Sequence, residues 1–368
     1  MSSSAPIRVL IVDDSALVRK MLTQALAADP QIVVVGTAPD AFIARDKILA
    51  LNPDVITLDI EMPRMDGITF LKKLMQFKPL PVIVISSLGS AGAAATIDAL
   101  QAGAVEILCK PNGPCSVGDL GLSLAEKIRT AAASQVRNRG RFAPAGAARK
   151  ASPQLVAAPG VGSAARFASD RIIAIGASTG GPSAVAEVLA GLPANAPPVL
   201  IVQHMPAVFT THFAERLNQE CQIEVKEAVD GDLVVPGRAL VAPGNFHMTL
   251  KQSARGYFVA VGEGPAVCFS RPSVDVLFTS VASVARKKAV GVLLTGMGSD
   301  GARGLLEMRN QGAFTVAQSE ETCVVFGMPK EAVRLGGAEA TLALSKIAPA
   351  VLRHLAQPVA TLGLSKAG

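Results

Sequence analysis

Three short stretches of this chain combine glycines with residues that can attack, remove a proton or hold charge: GASTGGPSA (176–184), QHMP (203–206) and TGMGSDGARG (295–304). In the first, Ser178 stands in a G-x-S-x-G arrangement running from Gly176 to Gly180, with Pro182 just inside the following helix. Glycines there permit the tight strand-to-helix turn that exposes a nucleophilic hydroxyl. Backbone N–H groups of that turn, Thr179 foremost, and of Met297 are the candidate oxyanion donors. A serine needs a base, and His204 follows the next apolar run; Asp300 can orient the imidazole and stabilise its charged form. His247, in GNFHM, competes with His204 as base, whereas His212 and His354 fall on expected helices.

A second constellation lies nearer the N-terminus, where Asp13 and Asp14 follow one apolar run, Asp59 and Ser86 end two more, and Lys110 follows another. Three carboxylates at neighbouring strand ends repel one another, and Mg²⁺ with a phosphoryl group as its further ligand is the natural completion. An aspartate can be a nucleophile in phosphoryl transfer. Asp59 is the candidate acceptor, Lys110 can pair with a phosphoryl oxygen, and the Ser86 hydroxyl can donate to it. The bland alternative makes Asp14 a helix cap and Lys110 an exposed cation.

These residues must be positioned by a scaffold. The apolar runs RVLIV, PDVITL, PVIVI, RIIAI, PVLIV and AVGVLL are short and rich in Val, Ile and Leu, as parallel strands buried on both faces are. Their alternation with amphipathic stretches predicts an α/β protein. Residues 1–134 form a doubly wound, five-stranded parallel domain, with strands at 7–12, 32–36, 54–59, 82–86 and 105–108. Residues 135–169, rich in Ala, Gly, Pro, Ser and Arg, are a flexible basic linker spanning roughly 30 Å. Residues 170–368 form a second α/β domain with a mostly parallel sheet. Its 223–262 region, with Pro-Gly and Arg-Gly turns, predicts one or two antiparallel hairpins at a sheet edge. Ligands in such folds bind beyond the carboxyl ends of the strands, where both constellations fall.

The N-terminal pieces VLIVDDS, TLDIEMPRMDG, VIVISS and LCKP resemble the receiver domain of two-component response regulators. That resemblance implies that Asp59 takes phosphate from a histidine kinase, that Asp13, Asp14 and Asp59 hold Mg²⁺, and that Ser86 and Lys110 transmit the change. With IGASTGGP, QHMP, RPSVDVLF, LLTGMGSDG and CVVFGMPKEA added, the chain outside the linker resembles the chemotaxis protein-glutamate methylesterase family. The resemblance implies hydrolysis of glutamate methyl esters on chemoreceptors, deamidation of receptor glutamines, and an esterase step without a cofactor. The receiver is expected to pack over the Ser178 cleft until phosphorylated.

Other classes fit less well. The net charge of +6 arises largely from Arg137, Arg139, Arg141, Arg149, Lys150 and Arg166 in the linker, which has almost no aromatics for base stacking. No nucleic-acid partner is expected, and the α/β pattern of 170–368 leaves no place for a DNA-reading helix-turn-helix. TGMGSDG contains G-x-G-x-x-G (Gly296 to Gly301) with Glu320 further on, a dinucleotide fingerprint, yet that reading leaves Ser178 and His204 unexplained. No apolar run approaches the roughly 18 to 20 residues of a membrane helix, so no membrane insertion is expected. MSSSAPIRVLIVDDS does not read as a secretory leader, and a cytoplasmic location is expected. Five scattered cysteines without CxxC spacing suggest neither disulfides nor zinc.

Overall fold

The computed structural model describes residues 5–86, 90–110, 117–134, 167–168 and 170–356. The expected linker lies outside them apart from residues 167–168, as does Cys115. The first unit alternates β1 (Ile7–Val12), α1 (Ala16–Leu26), β2 (Ile32–Ala38), α2 (Ala41–Leu51), β3 (Val55–Asp59), α3 (Gly67–Phe77), β4 (Val82–Ser86), α4 (Ser90–Gln101), β5 (Glu106–Cys109) and α5 (Val117–Ala132). The strands form one parallel sheet in the order β2-β1-β3-β4-β5. Every residue of β3 and β4 is buried, which is why both read as unbroken apolar runs. Helix α1 is capped by Ser15, whose hydroxyl accepts the Val18 amide, so Asp14 is not the cap.

The second unit begins with β6 (Ile172–Ala177), α6 (Gly181–Ala190), β7 (Val199–Gln203), α7 (Ala207–Glu220), β8 (Glu224–Glu227) and β9 (Arg238–Val241). It continues through β10 (His247–Ser253), β11 (Gly256–Gly262), α8 (Val274–Val284), β12 (Ala289–Leu293), α9 (Ala302–Asn310), β13 (Phe314–Gln318), α10 (Met328–Arg334), β14 (Ala340–Leu342) and α11 (Leu344–Leu355). Seven strands make a parallel sheet in the order β14-β13-β12-β6-β7-β9-β8.

The 223–262 region departs from expectation. Strands β8 and β9 belong to the parallel sheet, and the single hairpin, β10 with β11, forms its own two-stranded sheet. That hairpin packs on α8, with Met248, Leu250 and Val259 in the same apolar cluster as Leu277 and Phe278. The Pro-Gly pair in VVPGRAL suggested a hairpin turn. Instead Gly237, left-handed at φ 77°, donates its amide to the Ala196 carbonyl at 2.8 Å, and β9 leaves alongside β7 in the same direction.

The units touch. Leu100, Ala104 and Ile107 of the first join Met205 and Phe209 of the second in one continuous apolar cluster. Arg216 on α7 pairs with Asp98 on α4 at 3.4 Å, and Gln101 donates to Glu220 at 2.9 Å. Among the described residues no helix is long and apolar enough to cross a membrane.

Candidate active site

The seven-stranded sheet reverses its winding at β6, so a crevice opens beyond the carboxyl ends of β6, β7 and β12. Ser178 follows β6, His204 follows β7, and Asp300 lies in the loop after β12. The turn carrying Ser178 is pinned on both sides. Its amide donates to the Thr295 carbonyl at 3.0 Å, and its carbonyl accepts from the Gly181 amide at 2.7 Å and from Gln203 Nε2 at 2.9 Å. Gly296 presses against the same turn: a Cβ there would lie 2.7 Å from Ser178 Cβ and 2.3 Å from Met328 Sδ.

The His204 imidazole donates from Nε2 to Asp300 Oδ2 at 2.7 Å. With the proton on Nε2, the free lone pair is on Nδ1. The Ser270 hydroxyl lies 3.4 Å from that nitrogen, and hydrogen bonds between a nucleophile and its base tighten when substrate closes a site. Asp300 is buried against the N-terminus of α8. Its Oδ1 accepts from the Ser273 hydroxyl (2.8 Å) and the Asp275 amide (3.0 Å), and its Oδ2 from the Val274 amide (2.7 Å). Burial alone would raise its pKa, but the His204 bond and these amides hold the carboxyl below the usual 3.8.

His247 is differently placed. It is buried, its Nε2 donates to the Pro265 carbonyl at 2.9 Å, and its Nδ1 accepts the Ser273 amide at 3.2 Å. Both nitrogens are committed, so it offers no base. His354 stacks on Phe314 and His212 meets Glu215, both away from the crevice. The dinucleotide fingerprint also has another use: Asp275 Oδ1 accepts the Gly304 amide at 2.7 Å, so the chain's own carboxylate sits where a pyrophosphate would bind α9. Glu320 lies in a short 3-10 turn, Glu320–Thr322.

Ser178 and His204 line a cavity of about 410 Å³ whose opposite wall comes from the first unit: Leu100, Glu106, Ile107 and Lys127. Glu106 Oε2 accepts the Thr179 hydroxyl at 2.6 Å, and the Thr130 hydroxyl sits against the Met297 sulfur. Both candidate oxyanion residues are therefore engaged from the first unit. Sequence reading named neither Glu106 nor Ser273. Glu106 carried no local signal, whereas Ser273 ahead of VDVLF was legible as a helix N-cap.

The acidic cluster assembles as expected: ligand oxygens of Asp13, Asp14 and Asp59 lie within 4.8 Å of one another. Lys110 Nζ stands 2.8 Å from Asp59 Oδ2 and 3.1 Å from Asp13 Oδ2. Burial, supported by the nearby Asp13 charge, raises the Asp59 pKa despite the bond from Lys110. Lys110 is itself raised: burial opposes its charge, and its two carboxylate partners outweigh burial. Ser86 ends β4 within the same sheet and is buried.

These features define a class: a receiver-type doubly wound unit joined to an α/β unit with serine, histidine and aspartate at adjacent strand ends. Residues 9–117 match the response regulator receiver domain, and residues 173–351 match the CheB methylesterase family. A protein-glutamate methylesterase/protein-glutamine glutaminase of Syntrophus aciditrophicus is 53% identical over 94% of this chain and 98% of its own length. That of Salmonella typhi is 49% identical over 95% and 97%. The Thermotoga maritima CheB methylesterase catalytic domain, a solved structure, is 39% identical with a TM-score of 0.49, covering 50% of this chain and 97% of that one. The chain belongs to the protein-glutamate methylesterase/protein-glutamine glutaminase family.

Proposed function

We infer that the chain is a phosphorylation-activated esterase that hydrolyses glutamate methyl esters on chemoreceptors, and deamidates their glutamines, from a site built on Ser178, His204 and Asp300. The observation that carries this reading is the His204–Asp300 pair in one cleft with Ser178, walled by the receiver. Ser178 Oγ attacks the γ-carbonyl carbon while His204 Nδ1 takes its proton. The amides of Thr179 and Met297 receive the oxyanion. Collapse breaks the bond to methoxide, which leaves as methanol with the proton from His204. Water, deprotonated by His204, then cleaves the acyl-serine and returns Ser178. With an amide substrate the leaving group is ammonia.

Residues 1–134 act as the receiver, 135–169 as the join and 170–368 as the catalytic domain. Asp13, Asp14 and Asp59 fit a divalent cation: all are oxygen donors, and buried Asp13 Oδ2 has no hydrogen-bond partner of sound geometry despite the nearby Lys110. Mg²⁺ held there would neutralise the incoming phosphoryl group. Asp59 accepts phosphate from a histidine kinase, and Lys110 and Ser86 then turn toward the new group.

Strand β5 links the two sites, with Lys110 beyond one end and Glu106 at the other, so a shift of Lys110 bears on the Thr179 contact. A cytoplasmic location places the site beside the signalling region of its membrane receptors. The test is methanol release from methylated receptor membranes, with and without a small phosphodonor. Release should require Ser178, rise with the phosphodonor, and lose that rise in Asp59→Asn. Undiminished release from Ser178→Ala would overturn the assignment.

A further inference from the structure

The segment from Pro265 to Ser273 contributes Ser270 and Ser273 to the site, but its tip has no part in the mechanism above. One buried imidazole fastens both ends, since His247 donates to the Pro265 carbonyl and accepts the Ser273 amide. Between these ends Val267 and Ser270 exchange two backbone hydrogen bonds, of 3.1 and 2.9 Å, closing a two-residue turn. Its central residues, Cys268 and Phe269, are both left-handed, at φ 49° and 63°. That geometry suits Asn-Gly and is strained for bulky side chains.

The Cys268 thiol reaches Asp275 at 4.0 Å, but the Phe269 ring gains no burial in return. Phe269 is 104% exposed, more open than any other large apolar side chain of the described residues. Yet Phe269, Ser270, Arg271 and Pro272 line the Ser178 cleft, and Ser270 touches His204. Backbone strain without packing, beside a nucleophile, belongs to function rather than to folding.

We propose that Phe269 is a specificity-determining residue that grips an apolar side chain of the protein segment carrying the ester and so holds that ester over Ser178. This rests on the esterase reading above. A methyl ester is small enough to lie wholly within the cleft; a ring standing free at the rim meets only what extends beyond it, namely the polypeptide around the esterified glutamate. The His247 staple keeps the turn rigid, so contact with the ring is made without first ordering the loop.

The full-length chain, activated with a small phosphodonor, decides the matter in three measurements on Phe269→Asn and Phe269→Tyr. In methanol release from methylated receptor membranes, the Asn variant should lose about tenfold in kcat/KM, carried by KM, while Tyr stays near native. Labelling of Ser178 by a small fluorophosphonate should proceed at the native rate in both. Asn tolerates left-handed backbone, so that variant should melt no lower than the native chain. Native kcat/KM in the Asn variant sinks the proposal, as does an Asn variant that melts lower and labels more slowly, which marks a structural role. If the native chain itself releases no methanol, the esterase reading has failed and this inference with it, an outcome distinct from the other two.

Discussion

His204 and His247 share one side chain and differ in which nitrogens remain free. The Asp300 carboxylate holds the first at Nε2 and leaves Nδ1 with only a long 3.4 Å contact to the Ser270 hydroxyl, whereas backbone groups consume both nitrogens of the second. Asp300→Asn keeps the shape but can hold the imidazole in the wrong tautomer, so kcat should fall by about 10,000-fold with little change in KM. A loss under tenfold in steady-state methanol release would remove Asp300 from its role. Asp59 gives a prediction of opposite character. A carboxyl whose folded pKa is raised above 3.8 binds its proton more tightly when folded, so its favourable contribution is present below 3.8 and lost as pH rises through the folded value. At neutral pH, Asp59→Asn should therefore raise the melting temperature of the receiver, and the gap should close as pH falls toward 3.8. A lower melting temperature at neutral pH would mean that the Lys110 pair outweighs burial. Asp59, Lys110, Ser178 and His204 were legible in the sequence because each stands at the end of an apolar run. The strand-end address favoured His204 over His247 but did not exclude His247, since its engagement depends on backbone groups from distant segments.

At the scale of elements, the parallel strands announced themselves through runs buried on both faces, and β3 and β4 were placed almost to the residue. The β8–β9 connection was misread because a Pro-Gly pair encodes a reversal of the backbone but not what the next strand pairs with. The same limit hid the reason for the glycines in TGMGSDG, which resemble a phosphate fingerprint and in fact let the β12 loop close on the Ser178 turn. Gly296→Ala tests this, because the new methyl would stand 2.7 Å from Ser178 Cβ and 2.3 Å from Met328 Sδ. Overpacking of this kind costs about 1 to 3 kcal/mol. Displacing the nucleophile by even 1 Å costs on the order of 100-fold in rate. Fluorophosphonate labelling of Ser178 in this variant should slow on that scale while circular dichroism stays native; native labelling would show that the loop yields freely.

At the scale of the whole molecule, a restraint of the unphosphorylated chain by its receiver would have to act through the contacts between the units. Arg216 and Asp98 are both more than a third exposed, and such pairs contribute about 0 to 1 kcal/mol. Glu106 is different: its carboxylate accepts from the hydroxyl of a buried Thr179, next to Ser178, and pairs with Lys127 at 3.3 Å. A hydrogen bond to a charged group contributes about 1.5 to 3 kcal/mol, part of the roughly 5.5 kcal/mol that a near-complete switch requires. Glu106→Ala should therefore raise methanol release by the unphosphorylated chain by about tenfold or more, since 1.4 kcal/mol corresponds to a factor of ten. Arg216→Ala should change it by less than about fivefold. If phosphorylation draws the receiver face away from the cleft, neither substitution should alter the fully phosphorylated rate. Equal effects of the two substitutions on the resting rate would place the restraint in the apolar contact around Leu100 and Ile107 rather than at Thr179. A fall in the phosphorylated rate of Glu106→Ala would mean that Glu106 serves the active enzyme as well, and that the receiver remains in place during turnover.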